Sequence, residues 1–157
     1  MGRAPDPDAP RVIASNRRAK HEYHLLEEFE AGLVLQGSEV KSLRQGRASI
    51  QEAYAHFQGD ELFLMRAHIP EYSHASVGGH SPDRDRKLLL HRRELEKISK
   101  RVKEKGVTLI PLSLYFLGAR VKCRLALAQG KKLFDKREDK KQKDAERDMQ
   151  RALGRRR

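Results

Sequence analysis

The feature that most constrains the fold is an alternation of apolar and polar residues in two segments, VTLIPLSLYF at 107–116 and RVKCRLALA at 120–128. Gly118 and Ala119 separate the segments and permit a turn. Because successive side chains of a strand point to opposite faces, the alternation predicts two strands with one buried face. The residues expected on that face are Ile110, Leu112, Leu114 and Phe116, then Val121, Cys123, Leu125 and Leu127.

The opposite face of the second segment is expected to display cations. Arg120, Lys122 and Arg124 occupy alternate positions between its apolar residues. Side chains on one strand face recur about every 6–7 Å, close to the spacing of phosphates along a nucleic-acid backbone. The row therefore favours a polyanion as ligand, although a single exposed Lys or Arg is usually only a solvated charge.

Turn signals divide the rest of the sequence into short elements. We predict a strand at 23–35, a helix at 37–46, a β-hairpin at 53–65, a long loop at 70–87 and a helix at 91–105. Together they predict a mainly β protein, a small OB-like antiparallel β-barrel with two or three short peripheral α-helices. A split sheet with helices on one side is the alternative.

Local features are also expected within these elements. Asn16 is a plausible cap for a short helical turn, and Ser38 for the helix after the first strand. Gly32 interrupts that strand and suggests a bulge. The long loop is expected to be basic through Arg84, Arg86 and Lys87.

The charge of the chain points to a polyanionic partner. The 157 residues include 34 Lys and Arg and 22 Asp and Glu, for a formal net charge of +12. The segment 131–157 holds twelve Lys or Arg and six Asp or Glu, so it carries +6 and residues 1–130 carry the other +6. Such a field favours RNA, DNA or an anionic membrane. No apolar run approaches the roughly 20 residues that span a bilayer, so no membrane insertion is expected.

The sequence divides into three parts. Residues 1–14 are expected to be a flexible leader, residues 15–130 the barrel and residues 131–157 a basic C-terminal tail. The leader is rich in Pro and Asp and lacks the apolar stretch of a signal peptide. Cys123, the one cysteine, cannot form an internal disulfide, so a cytoplasmic location is expected.

The tail has too few apolar residues to build a core. Those beyond Phe134 are Ala145, Met149, Ala152 and Leu153, a narrow helical stripe. Ordering about 20 residues costs roughly 1–2 kcal/mol each, which this stripe cannot offset. We expect the tail to be disordered in the free protein and helical against an RNA surface. A solubilising extension is the alternative.

The sequence offers little support for catalysis or metal binding. Glu28 and Glu30 share a strand face without a nearby histidine, so solvated carboxylates are expected, with a ligand-reading role for Glu30 as the alternative. His68, His74 and His80 recur every six residues, which matches no standard zinc spacing. We therefore expect no catalytic residue, no metal and no cofactor.

Nucleic-acid binding explains more of the sequence, because cations recur on a predicted strand, helix and loop. With no Trp and four Tyr, the chain is poor in the aromatic residues on which single-stranded bases stack. A folded RNA, recognised through its shape, phosphates and 2′-OH groups, is favoured.

Several segments resemble the SsrA-binding protein family (small protein B), the bacterial partner of transfer-messenger RNA. They are NRRAKHEY, FEAGLVLQGSEVKSLRQGRASI, RKLLLHRREL, VKEKGVTLIPLSLYF and GKKLFDKRE, which lie within residues 16–138. The resemblance implies a monomeric OB-like barrel that binds the tRNA-like domain of transfer-messenger RNA and brings it to stalled ribosomes for trans-translation. It also implies a tail that is helical in the vacant decoding site and mRNA channel.

The resemblance also indicates two sets of site residues. Glu30 would accept hydrogen bonds from base or sugar donors, Lys122 would contact phosphate, and Leu89 would act through packing. The RNA-facing set comprises Asn16, Lys20, His21, Glu30, Lys41, Arg44, Lys87, Leu89, Arg120, Lys122 and Arg124. The decoding-site set in the tail comprises Gly130, Lys131, Lys132, Phe134, Asp135, Lys136 and Arg137. The family commonly has Tyr or His at position 134, and Phe retains stacking but no side-chain hydrogen bond.

Two other functions remain as alternatives. A ribosomal or initiation-factor-like barrel that binds rRNA directly would share this composition, but not the tail and the FEAG…GSEVKSLR pattern. A small ribonuclease would require a metal or general-base constellation, which the sequence does not show.

Overall fold

A computed structural model describes residues 9–72 and 79–154, with only the backbone described at 133–135. The strands are β1 (Arg11–Ser15), β2 (Tyr23–Leu33), β3 (Tyr54–Gln58), β4 (Glu61–Met65), β5 (Arg86–Leu89), β6 (Val107–Leu117) and β7 (Arg120–Gly130). The helices are α1 (Ala19–Glu22), α2 (Gly37–Arg44), α3 (Arg92–Arg101) and α4 (Leu133–Gly154).

The sheet closes into a barrel. Antiparallel pairs connect β6 to β3, β3 to β4, β4 to β5, β5 to β2, β2 to β7 and β7 back to β6. The pairings of β7 with β2 and β6 are long, whereas β3 meets β6 at one residue pair, Ala55 with Leu109. The predicted small antiparallel barrel is confirmed, and the chain does not form the split sheet.

The first strand begins earlier than expected. β1 occupies Arg11–Ser15 and pairs with β6, from Arg11 opposite Phe116 to Ser15 opposite Ser113. β1 pairs with the part of the β6 edge that β3 does not occupy, because β3 pairs with β6 only at Leu109. The predicted leader is therefore too long: residues from Arg11 onward belong to the sheet, and residues 1–8 lie outside the described chain.

Apolar side chains from all six barrel strands fill the interior. The largest cluster includes Phe29, Ala55, Leu64, Leu88, Leu109 and Leu125. Helix α3 packs onto this cluster through the fully buried Ile98. Helix α2 contributes Leu43 to a second cluster, with Ile69, Phe116 and Val121.

Two bulges change which residues face the interior. The register of β6 against β7 shifts between Pro111 and Ser113, and that of β2 against β7 shifts between Leu25 and Glu27. An extra residue in one strand reverses the alternation beyond it. Ile110 therefore packs outside the barrel, with Ala19, Ala128 and Leu112, whereas Leu114 and Phe116 pack inside. The prediction that these β6 residues share one face is wrong, and the bulge in β2 lies at Leu26 rather than at Gly32.

The helix caps also differ from those predicted. Arg18 precedes α1, and the Asn16 side chain instead donates to the carbonyl oxygen of Pro111 at 3.3 Å. Gln36 precedes α2, and its backbone N–H donates to the Glu39 carboxylate at 2.8 Å. Ser38 lies within α2, where its hydroxyl pairs with His80 Nδ1 at 2.9 Å.

A buried ionic cluster joins α2, β5 and the segment before β5. Glu39 and Arg86 are both fully buried and bonded to each other, and Arg84 also donates to Glu39. Arg86 further donates to the carbonyl oxygens of Ala67 at 2.6 Å and Pro82 at 2.9 Å. The prediction that Arg86 belongs to a basic loop is therefore wrong, because it lies in β5 and its charge is compensated inside the protein.

The ionised form of Glu39 is the form that the fold stabilises. Burial alone would raise the pKa of its carboxyl. The hydrogen bonds from Gln36, Arg84 and Arg86, with the charge of Arg86, outweigh burial and hold the pKa below its ordinary value of 4.5. This stabilisation is complete above the ordinary pKa and is lost as the pH falls through the lowered one.

We expect Glu39→Gln to lower the free energy of unfolding at pH 7 by about 3–5 kcal/mol, because it leaves the Arg86 charge buried and unpaired. Urea titrations at several pH values measure the effect. The difference from the wild type should shrink as the pH falls below 4.5 and through the lowered pKa of Glu39.

Glu27→Gln is the matched control, because Glu27 pairs with Lys97 at 2.6 Å in an exposed ion pair. Its cost should be below about 1 kcal/mol. Equal costs for the two variants would contradict a structural role for the buried pair.

Candidate nucleic-acid interface

The outer face of β5, β2, β7 and β6 brings several predicted site residues into neighbouring rows. Directly paired residues share a face, so Leu89, Gly32, Lys122 and Tyr115 form one row across the four strands. Glu30, Arg124 and Ser113 form the next row across β2, β7 and β6. We call these two rows the outer face. It unites Glu30, Leu89, Lys122 and Arg124, which are far apart in sequence.

The cation row predicted on β7 has the expected placement. Arg120 and Arg124 are exposed and Lys122 is half-buried, while the alternate residues Val121 and Cys123 are buried. β7 keeps its alternation because both of its bulged pairings place the extra residue on the partner strand. The cations therefore lie on the outer face.

Glu30 is held by a tyrosine that sequence analysis did not identify. The hydroxyl of Tyr115 donates to a carboxylate oxygen of Glu30. Tyr115 is only 4% exposed, whereas Glu30 is exposed. Burial, followed by the bond and charge of Glu30, raises the pKa of Tyr115, so the hydroxyl remains a donor at physiological pH. The alternation of β6 places Tyr115 on the face opposite to Leu114 and Phe116, but nothing in the sequence brings it to Glu30 on another strand.

A groove of about 370 Å³ lies beside the rows. Its lining includes the apolar Leu33, Leu35 and Val40 and the flanking Leu89, Arg120 and Lys122. Gly32 also lines it and allows Leu89 to lie close to β2, because a Cβ at position 32 would lie 3.3 Å from the Leu89 Cβ. Leu89 is 50% exposed and adds apolar surface beside the groove. The groove therefore combines apolar surface with two cations.

A second group of predicted residues lies around α1. Asn16 is half-buried and bonded to Pro111, while Lys20 and His21 are exposed. Gly130, at the end of β7, pairs with Tyr23, which directly follows α1. This group lies toward the end of β7 opposite to Arg120.

Three other predicted residues lie outside the two rows. Lys41 and Arg44 are exposed on α2, and the Lys41 ammonium lies 5.6 Å from the centre of the Tyr72 ring. Lys87 lies on β5, where it forms an ion pair with Glu61 at 3.3 Å. The structure does not bring these three cations into the rows.

The tail forms helix α4, which is exposed along most of its length. Lys131 connects it to α1: its backbone N–H donates to Glu22 at 2.9 Å, its ammonium donates to the Lys20 carbonyl at 2.8 Å, and the ammonium also pairs with Asp139. Met149 and Leu153 are 68% and 65% exposed, and no described α4 side chain belongs to a core cluster.

The other predicted tail residues provide no further attachment in the described part. Lys132 and Arg137 are exposed and Lys136 is half-buried, while the side chains of Phe134 and Asp135 lie outside the described residues. Disorder of the tail in the free protein remains a prediction.

The described histidines of the predicted six-residue repeat contact separate partners and do not meet one another. His68 contacts Asp83 at 2.9 Å, the buried His80 contacts Ser38 and the Ile69 carbonyl, and His74 lies outside the described residues. Across residues 9–72 and 79–154, no three His, Cys, Asp or Glu side chains are grouped to hold a metal ion. In the same part of the chain, no helix is long and apolar enough to cross a membrane.

The barrel, its cationic outer face and its basic extension define a small basic protein with a surface suited to nucleic acid. The family model described as "SmpB protein" matches residues 13–155. An SsrA-binding protein of Mycobacterium sp. (strain KMS) is 53% identical over 145 residues, 92% of this chain and 86% of that protein. That of Thermobifida fusca is 52% identical over 148 residues, 94% and 92% of the two chains. The chain belongs to the SmpB, or SsrA-binding protein, family.

A solved structure supports the same relationship. It is described as "tmRNA-SmpB: a journey to the center of the bacterial ribosome", and one of its chains is 45% identical to this chain. The two agree with a TM-score of 0.64 over 76% of this chain and 84% of that one. The resemblance identified from the sequence is thus confirmed.

The single cysteine provides a test of the β7 alternation. Cys123 is fully buried, and burial raises the pKa of its thiol to about 12. We expect no reaction of the native protein with a thiol reagent at pH 8 and one equivalent of reaction in denaturant. Cys123→Ala combined with Arg124→Cys moves the thiol to the outer face and should react in the native state. Rapid labelling of the native wild type would contradict the assignment of faces.

Proposed function

We propose that this protein binds the tRNA-like domain of transfer-messenger RNA and delivers it to stalled ribosomes for trans-translation. Membership of the SmpB family supports the proposal, as does the likeness to a structure described by the words tmRNA, SmpB and bacterial ribosome. The observation that carries it is the outer face, where a carboxylate, an exposed leucine and two cations lie within two rows.

Each group on the outer face has a distinct role in this proposal. Lys122 and Arg124 neutralise phosphates and release counterions, which supplies affinity for any RNA. Glu30 accepts hydrogen bonds from base or sugar donors, which a cation cannot do. Leu89 presents apolar surface beside the groove. The combination therefore favours one folded RNA over a general polyanion.

The remaining barrel residues extend this contact. Asn16, Lys20 and His21 meet RNA near α1, while Lys41, Arg44 and Lys87 contact phosphates around the edge of the interface. Arg120 lies at the β6–β7 turn and extends the cation row. These contacts to the backbone orient the RNA without reading its sequence.

The tail acts as a second unit, separate from the barrel of residues 11–130. It occupies the vacant decoding site and mRNA channel, with Lys132, Lys136 and Arg137 against rRNA phosphates. Phe134 stacks there but donates no hydrogen bond. The exposed α4 supports this division, since few described contacts attach it to the barrel.

The protein acts in the cytoplasm as a monomeric adaptor in this proposal, and it makes or breaks no covalent bond. It needs no metal or cofactor. Direct rRNA binding by a ribosomal-protein-like barrel is not favoured, because the family match extends through the tail to residue 155.

Salt dependence distinguishes the role of Lys122 from that of Glu30. We expect Lys122→Ala and Glu30→Ala both to weaken binding of the tRNA-like domain by about 1–3 kcal/mol. Only Lys122→Ala should reduce the slope of log affinity against log salt, by about 1, because only it removes a phosphate contact. Fluorescence titrations at several salt concentrations provide the measurement, and identical slopes for the two variants would contradict this division of roles.

Truncation tests the division between barrel and tail. We expect removal of residues 132–157 to change the free energy of unfolding by less than about 1 kcal/mol, because Lys131 and its bonds to α1 are retained. Binding of the tRNA-like domain should persist, while tagging on stalled ribosomes should be lost.

The matched control is full-length protein with Lys140→Ala and Lys141→Ala, which alters tail charge outside the decoding-site set. It should retain most tagging activity. Unfolding of the truncated protein, or loss of all its RNA binding, would refute the division.

A further inference from the structure

Tyr115 lies where it can control the state of the outer face. It occupies β6 and Glu30 occupies β2, with β7 between them. Two strand spacings amount to about 9–10 Å, so the tyrosine side chain must extend across β7 to reach Glu30. Lys122 and Arg124 lie on β7 in the two rows that this path connects. Tyr115 therefore reaches Glu30 across the strand that carries both cations.

The bond from Tyr115 leaves Glu30 with one oxygen for an external donor. Tyr115 contacts Oε2, and no cation of the described chain lies within ion-pair distance of the Glu30 carboxylate. The neighbouring Glu28 pairs with Arg124 at 3.9 Å, which shows that a carboxylate on this strand can reach that cation. A freed Glu30 would have the same attraction to Arg124 and Lys122.

We propose that Tyr115 is a positioning residue that holds Glu30 as a hydrogen-bond acceptor and keeps it from neutralising Lys122 and Arg124. This inference rests on the proposed function, because its consequence is selective RNA binding. The buried hydroxyl donates to one carboxylate oxygen of Glu30, so the second oxygen is left for the ligand. Lys122 then remains available to phosphates, and Arg124 has only its exposed contact with Glu28 at 3.9 Å. Tyr115 itself touches no RNA.

The test removes the hydroxyl and retains the ring. We expect Tyr115→Phe to weaken binding of the tRNA-like domain about fivefold to tenfold, the equivalent of about one hydrogen bond. The slope of log affinity against log salt should also flatten by about 1, because the released Glu30 neutralises one phosphate-binding cation. Circular dichroism and the melting temperature verify that the variant is folded.

A double variant separates positioning from a purely structural role. Tyr115→Phe combined with Glu30→Ala removes the carboxylate that would swing onto the cations. Its salt slope should return to the wild-type value, and its affinity should be no lower than that of Glu30→Ala alone. Tyr54→Phe, a hydroxyl removal on β3, is the control and should leave affinity and slope unchanged.

Three outcomes would overturn the inference. Unchanged affinity and slope in Tyr115→Phe would show that Glu30 needs no support. An equal loss from Tyr115→Phe with Glu30 present and absent would show that Tyr115 does not act through Glu30. Failure of the wild type to bind the tRNA-like domain would refute the proposed function and this inference with it, whereas the first two outcomes leave the proposed function intact.

Discussion

The contact between Glu39 and Arg86 fixes the strand that completes the barrel. β5 is four residues long and joins β4 to β2, and its pairing with β2 involves only Gly32 and Leu33. So short a pairing stabilises the position of β5 only weakly. Arg86 adds bonds to α2, to the Ala67 carbonyl and to the Pro82 carbonyl. One buried guanidinium thus positions β5, and β5 in turn places Leu89 beside Gly32.

The outer face follows from this closure together with the two bulges. β7 keeps a strict alternation, while β2 and β6 each insert one extra residue against it. On the Glu30 side of the bulges, polar groups of three strands face outward. On the other side, the outward positions are apolar, and Ala19 from α1 covers Ile110 and Ala128. β6 and β7 therefore supply both part of the ligand-facing surface and the apolar surface on which α1 packs.

Features that a local pattern decides were predictable from the sequence, whereas features that a long-range partner decides were not. The faces of β7 and the hairpin around Gly59 were predictable, because period-two alternation and a glycine with φ of +64° are local properties. The bulge at Leu112 was not, because it depends on the register of β6 against β7. Arg86 was assigned to a basic loop, since one sequence gives its charge but not the buried Glu39 that compensates it.

The site residues divide in the same way. Glu30, Leu89 and Lys122 came from a family resemblance, and only the folded sheet places them in adjacent rows. Alternation placed Tyr115 on the face opposite to Leu114 and Phe116, but its role depends on reaching across β7 to Glu30, which one sequence does not show. A surface of cations alone would bind any RNA with an affinity set by salt. A carboxylate held among those cations lowers that general attraction and adds a contact that only a correctly placed donor can satisfy. Selectivity of this face therefore depends on keeping the Glu30 carboxylate close to Lys122 and Arg124 without letting it pair with them, which requires a neutral donor such as the Tyr115 hydroxyl.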